Sequence, residues 1–185
     1  MNNDIKPIMS TLPNPTEDGV SHINIHYNLS LTKVGRMLSS YFVAPFKHPY
    51  FGPFRSIEGF TLYVKTGCCD DTFRNVTGAQ AKLYYRCQTL SGKLVNQIID
   101  ECEQERIMML AVFAKLEHNP VIATLLMEST LPFDYYYLFG SGKIPIRPQD
   151  GAVLTNSLMK LRSLMCSGQK PEPMLDVEYA KLIVR

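Results

Sequence analysis

Residues 38–67 read LSSYFVAPFKHPYFGPFRSIEGFTLYVKTG, and a change of pattern inside them decides how the chain folds. In the first half, Ala44-Pro45, His48-Pro49 and Gly52-Pro53 each push the backbone away from a regular helix. From Ser56 the order Ser, Ile, Glu, Gly, Phe, Thr, Leu, Tyr, Val, Lys reads as an N-cap followed by a helix, with Ile57, Phe60 and Val64 on one side. Glu58 then falls in the first turn, where the helix dipole favours an ionised carboxylate. The stretch predicts an aromatic loop that delivers the chain into a short helix.

Upstream, Ile23, Ile25 and Tyr27 alternate with Asn24 and His26, the period of a half-buried strand. Residues 33–36 predict a turn around Gly35. Residues 1–19, with Pro7, Pro13 and Pro15 and few large apolar side chains, predict a surface-laid or poorly ordered arm. Downstream, Thr77 can cap a helix through Ala79, Ala81, Leu83 and Tyr84 to about Cys87, with Lys82 in its middle. Residues 94–116 recur helically through Val95, Ile98, Ile99, Cys102, Arg106, Met109, Ala111, Phe113 and Ala114, and predict the longest helix. Asn119-Pro120 is an N-cap and first-turn pair for a helix to about Met127. Residues 132–142, PFDYYYLFGSG, are too rich in β-formers for a helix and predict a loop or short strand with some rings lining a cleft. A last helix starts at Asp150 or Gly151, turns Val153, Leu154, Ser157, Leu158, Leu161, Leu164 and Met165 inward, and stops at Gly168 and Pro171. Residues 175–184 form a tail.

A length of 185 residues suits one domain with a sizeable core. A hydrophobic share of 45% against 19% charged excludes wholesale disorder, and a net charge of +2 is too small to imply nucleic-acid binding. No apolar run approaches a membrane span, and the first residues lack the apolar core of a signal peptide, so a cytosolic protein without membrane partners is expected. Five cysteines, Cys68, Cys69, Cys87, Cys102 and Cys166, are odd in number and lack metal-site spacing. They predict reduced thiols, mostly in the core, with no metal and no cofactor. The boundaries expected are an arm over 1–19, a domain over 20–168 and a tail over 169–185. The fold class expected is α+β, predominantly helical, with about five helices and a few short strands.

The order Ser39-Ser40-Tyr41, Pro45-Phe46 and Ser56-Ile57-Glu58 resembles the opening motif of the NADAR, or YbiA-like, superfamily. The form around His48-Pro49 and Glu58-Gly59-Phe60 is most similar to a branch from large tailed phages. Residues 73–82 are similar to the superfamily's second element, in which a lysine follows a short loop. Glu128-Ser129-Thr130, Asp134 and Gly140-Ser141-Gly142 are similar to its acidic, aspartate and Trp-Gly-x-Gly run, and Leu158-Met159-Lys160-Leu161-Arg162 to its closing Leu-Met-x-x-Arg helix. The chain departs from the pattern in having no tryptophan, so that Tyr137 or Phe139 fills that position. Ser40 stands for Asn, Gly59 for a common His, and Ala152 and Thr155 for Asn and Gly.

The resemblance implies a YbiA-like domain that cleaves the N-glycosidic bond of an ADP-ribosyl or other ribosyl-phosphate substrate. Such bonds break through an oxocarbenium-like state, which a carboxylate near the anomeric carbon stabilises or supplies with activated water. Glu58 is the candidate, and the other reading is a helix-start glutamate that satisfies backbone N–H groups. Asp134 is a candidate to orient a ribose hydroxyl or a nearby tyrosine, or else a turn aspartate. Lys65, Lys82 and Arg162 are candidates to hold phosphate, or else solvated surface charges. Ser40 belongs to the ligand-facing motif, and Tyr41, Phe46 and Tyr137 are candidates to stack on a base, or else core. His48 reads as a structural imidazole in a loop, and Gly140-Ser141-Gly142-Lys143 lacks the spacing of a phosphate loop. The partner expected is an ADP-ribose-like or phosphoribosyl small molecule. The alternative is an inactive relative that binds a nucleotide-like ligand or a host protein in the host cytoplasm. A further reading makes the face of Tyr135, Tyr136 and Tyr137 a contact surface.

Overall fold

Ser56 starts helix α2 (Ile57–Lys65) as its sequence dictates: the residue is extended and its hydroxyl accepts the Gly59 N–H at 3.2 Å. Ile57, Phe60, Leu62, Tyr63 and Val64 are all buried, so α2 is enclosed around most of its circumference and lies inside the core. The computed structural model describes residues 12–94, 101–140, 144–148 and 151–171, with the backbone alone for 101–104.

The proline-punctuated half of the opening stretch is more regular than a loop. Strands β2 (Phe46–His48) and β3 (Gly52–Phe54) pair antiparallel, with Phe46 opposite Phe54 and His48 opposite Gly52. A histidine closes the turn: His48 Nδ1 accepts the N–H groups of Tyr50 and Phe51 at 3.2 and 3.3 Å, and Gly52 leaves the turn at φ +79°. The ring is fully buried and stacks on Phe60 at 4.8 Å, and burial pushes its pKa down to about 4, so it is a neutral structural imidazole.

Two further segments differ from the pattern reading. Strand β1 (Ile23–Asn24) is only two residues long, and alternation fails because Asn24 is as buried as its neighbours. Its N–H donates to the Asp18 carboxylate at 2.9 Å and its Oδ1 accepts the Tyr136 N–H at 3.1 Å, while its Nδ2 is buried without a partner among the described residues. Asp18, which also accepts the Leu31 N–H, brings the end of the expected arm against the domain. The predicted turn at Gly35 is helix α1 (Lys33–Leu38), capped by Thr32, whose Oγ1 accepts the Gly35 N–H at 3.0 Å. Gly35 is there for contact, since a Cβ would meet the Asn24 carbonyl at 2.3 Å.

The rest follows in order. After α3 (Thr72–Asn75), Thr77 and Gln80 form a reciprocal capping box for α4 (Gly78–Leu90). Helix α5 (Glu101–His118) is the longest among the described residues, while Val95, Ile98 and Ile99 lie outside them. Its later turns bury Ile107, Met108, Leu110, Ala111, Val112, Ala114 and Leu116, and it packs on α2, α7 (Gly151–Cys166) and β2. Arg106, grouped with those positions from the sequence, is exposed. Helix α6 (Pro120–Glu128) starts at the expected proline, but Asn119 does not cap it through its side chain: Nδ2 donates to the carbonyls of Pro45 and Lys115. Strand β4 (Phe133–Asp134) pairs parallel with β1, and β5 (Tyr137–Phe139) pairs antiparallel with β6 (Ile144–Ile146). Helix α7 ends before Gly168 at φ +71°. Asp150, residues 141–143 of the glycine-serine loop and residues 175–184 of the tail lie outside the described residues.

The architecture is α+β, mainly helical, with seven helices and three two-stranded sheets among the described residues. The two helices beyond the expected five are the short α1 and α3. The cysteines correct the sequence reading: Cys69, Cys87 and Cys166 are exposed and Cys68 is half-buried, because they sit at helix ends and on the outward face of α4. Burial pushes the Cys68 thiol up to about 12. Among the described residues, no group of His, Cys, Asp and Glu has the arrangement of a metal site, and no single helix is long and apolar enough to cross a membrane.

Candidate functional site

A cavity of about 460 Å³ opens between α2, α4, α7 and the segments that follow β1 and β4. Helix α2 places Ile57, Glu58 and Thr61 on its wall, α4 places Ala79 and Lys82, and α7 places Val153 and Leu154. Each helix lines it with residues near the start of its range, and at α2 the N–H groups of Glu58 and Gly59 are already bonded to Ser40 and Ser56. Glycines make the approach close. At Gly78 a Cβ would lie 2.4 Å from Tyr41 Cα, and at Gly151 it would lie 2.7 Å from the Tyr135 ring.

Glu58 is the one carboxylate among the described lining residues, and its side chain is 12% exposed. Its backbone N–H donates to the Ser40 carbonyl at 2.9 Å, and its Oε2 accepts the Ser40 hydroxyl at 3.0 Å. Oε1 faces Lys82 Nζ at 3.7 Å, with the lysine side chain 55% exposed. Solvent screens a pair of this kind, so it contributes at most about 1 kcal/mol to stability, and the ammonium remains available to a ligand. Ser40, Tyr41, Glu58, Lys82 and Tyr137, chosen from the sequence, therefore share one cavity.

The other four candidates lie elsewhere, each with a partner of its own. Phe46 is core, 3% exposed between the rings of Phe54 and Phe60. Lys65 closes the far end of α2, with Nζ 5.7 Å from the Tyr85 ring centroid. Arg162 donates to the carbonyls of Ser129 and Leu131 at 3.1 and 2.7 Å and lies over Phe133, which ties α7 to the end of α6. Asp134 accepts from Arg147 Nε at 2.9 Å and Nη2 at 2.6 Å, a fork between β4 and the residue after β6. Its Oδ1 also accepts the N–H of Tyr135, which does line the cavity. Asp134 thus acts on this space through its neighbours.

Sequence reasoning passed over several lining residues, His26, Tyr27, Asn28, Thr61 and Pro148, and expected rings of the 132–142 stretch at a cleft without singling out Tyr135. Tyr135 had a signal in the period of two, since Tyr135 and Tyr137 face the cavity while Tyr136 between them is buried against His22 at 3.0 Å. His26 was hidden because its alternation with Ile25 reads as an outward strand position. It is set by the two N–H groups that its Nδ1 accepts, from Asn28 at 3.3 Å and Leu29 at 3.2 Å. Burial lowers its pKa from 6.5.

One support of the site had no sequence signal. Lys115 lies in an apolar run of α5, 1% exposed, and its ammonium donates to the carbonyls of Met37, Leu38 and Ser39 at 2.9, 3.5 and 3.0 Å. It binds the last carbonyls of α1 beside the Ser39 C-cap and fixes the chain just before Ser40. Burial pushes its pKa down to about 7. Comparison of the chain with protein-family models, with curated proteins and with solved structures finds no match.

Proposed function

We propose that this chain is a NADAR-like N-glycosidase of YbiA-like fold that hydrolyses the bond between a base and a phosphate-bearing ribose, with Glu58 at the reacting carbon. The observation that carries the reading is the setting of Glu58: a mostly buried carboxylate beside Lys82, in a cavity on which the first turns of α2, α4 and α7 converge. A half-exposed ammonium suits phosphate, and a carboxylate suits the positive charge that develops on a ribosyl ring. Tyrosine walls suit a flat base.

In this mechanism the C1′–N bond breaks and its electron pair leaves with the base nitrogen. Glu58 stabilises the oxocarbenium-like carbon and takes a proton from the water whose oxygen forms the new C1′–O bond, and that proton is passed on to the departing nitrogen, which regenerates the carboxylate. Ser40 holds Oε2 and directs Oε1 towards the substrate. An ADP-ribosyl group on a base is a substrate of this class, in keeping with the resemblance and with a role in a host cytoplasm.

The second reading, a nucleotide-like binder without turnover, draws on Thr155. Its hydroxyl donates to the Gly151 and Ala152 carbonyls of its own helix, so this position offers the cavity no polar group. Incubation with ADP-ribosylated nucleic acid, read as release of free ADP-ribose, separates the two. Product that disappears in Glu58→Gln supports hydrolysis, and binding without product supports the second reading.

A further inference from the structure

His26 and His48 make the same local turn with different consequences. In each, Nδ1 accepts the N–H groups of the residues two and three positions later. Both rings therefore carry their proton on Nε2 when neutral, because a proton on Nδ1 would face two donors. His48 is sealed among Phe51 and Phe60. The ring of His26 lies on the cavity wall beside Tyr135, with centroids 6.2 Å apart and planes 31° apart. Nε2 of His26 has no hydrogen-bond partner among the described residues and is not among their buried, unsatisfied atoms, so it is accessible on a residue that lines the cavity.

The pairing of β1 with β4 explains why these groups meet. The two strands run parallel, Ile23 beside Phe133 and Asn24 beside Asp134, so the chain leaves both at the same edge. Residues 26–28 and 135–137 are thereby set side by side, and His26, Tyr27, Tyr135 and Tyr137 form a wall that is aromatic and uncharged. Glu58 and Lys82 belong to α2 and α4.

We propose that this wall is the base-binding face of the cavity, and that His26 Nε2–H donates a hydrogen bond to an uncharged acceptor on the edge of the base, a carbonyl oxygen or a pyridine-type nitrogen. The assignment rests on reading the cavity as a ribosyl-phosphate site. A ring kept neutral is suited to such an acceptor and unsuited to phosphate, which falls to Lys82. His26 is in this account a specificity-determining residue: a ligand that lacks the acceptor leaves a donor unpaired in a partly buried wall.

The test compares ribose 5-phosphate, which has no base, with inosine 5′-monophosphate and adenosine 5′-monophosphate, by calorimetry on the full chain and on His26→Phe, which keeps a flat ring without the donor. The expected result is about a tenfold loss of affinity for the nucleotides in His26→Phe and no change for ribose 5-phosphate. Equal losses for all probes, or none, would overturn the assignment while leaving the ribosyl-phosphate reading intact. If the wild-type chain binds none of the probes, that reading falls and the assignment with it. Ring nitrogen NMR of the wild-type chain tests it without any variant. The Nε2–H tautomer, titrating below 6.5, is expected, and the Nδ1–H tautomer or titration above 6.5 would overturn it.

Discussion

Glu58 owes its place to three short-range facts: a serine N-cap two residues before it, a hydroxyl from Ser40 and an ammonium from Lys82. Glu58→Gln keeps the shape and the Ser40 contact, so thermal denaturation should change by only a few degrees. Turnover should fall by about a hundredfold to ten-thousandfold, the usual scale for losing a positioned general base or charge stabiliser. A cap and a helix period place Glu58 and Lys82 on their helices, and the resemblance made them site candidates. Lys115 was not legible, since the carbonyls that hold it lie 76 to 78 residues away in sequence. Its titration has a definite sign. The unfolded chain keeps the proton up to a lysine's usual 10.5 and the folded chain only to about 7, so between these values the unfolded state binds more protons and stability rises with pH. Lys115→Met lacks this term. Urea denaturation from pH 6 to 10 should therefore show the wild type gaining on the variant above pH 7, by at most about 1.4 kcal/mol per pH unit, and running parallel to it below. A constant difference across the whole range would show that the lysine is not desolvated.

At the scale of elements, close backbone approaches assemble the site. Helix α4 meets Tyr41 at Gly78, and that contact brings Lys82 opposite Glu58. Gly78→Ala offers the helix a gain of up to about 1 kcal/mol in propensity. A Cβ 2.4 Å from Tyr41 Cα has only backbone to displace, so the clash wins, and a net loss of about 1–3 kcal/mol in denaturant titrations is expected, with weaker ligand binding. Unchanged stability would mean that α4 can shift without consequence. Helices α2, α4, α6 and α7 were legible from caps, periodicity and stop signals. The β2–β3 hairpin was not, because proline spacing reads as loop and the residue that closes the turn, His48, acts through its ring nitrogen. Gly35 misled in the opposite direction, since a glycine needed for packing looks like one needed for turning.

Over the whole molecule, the α+β class followed from alternating helix and strand signals, whereas the pairing of β1 with β4 joins Ile23 to Phe133 and has no local signature. That non-local pairing brings residues 26–28 to the cavity, which is why His26, Tyr27 and Asn28 were invisible as lining residues from the sequence. The central claim is that the cavity binds a phosphate-bearing ribosyl ligand beside Glu58. Calorimetric titration with ADP-ribose tests it most directly, using the wild type, Lys82→Ala in the cavity and Lys65→Ala outside it. The account expects binding that Lys82→Ala weakens about tenfold or more and Lys65→Ala leaves unchanged, the scale of one charge-assisted hydrogen bond. Absence of binding by the wild type, or equal loss in both variants, would contradict it.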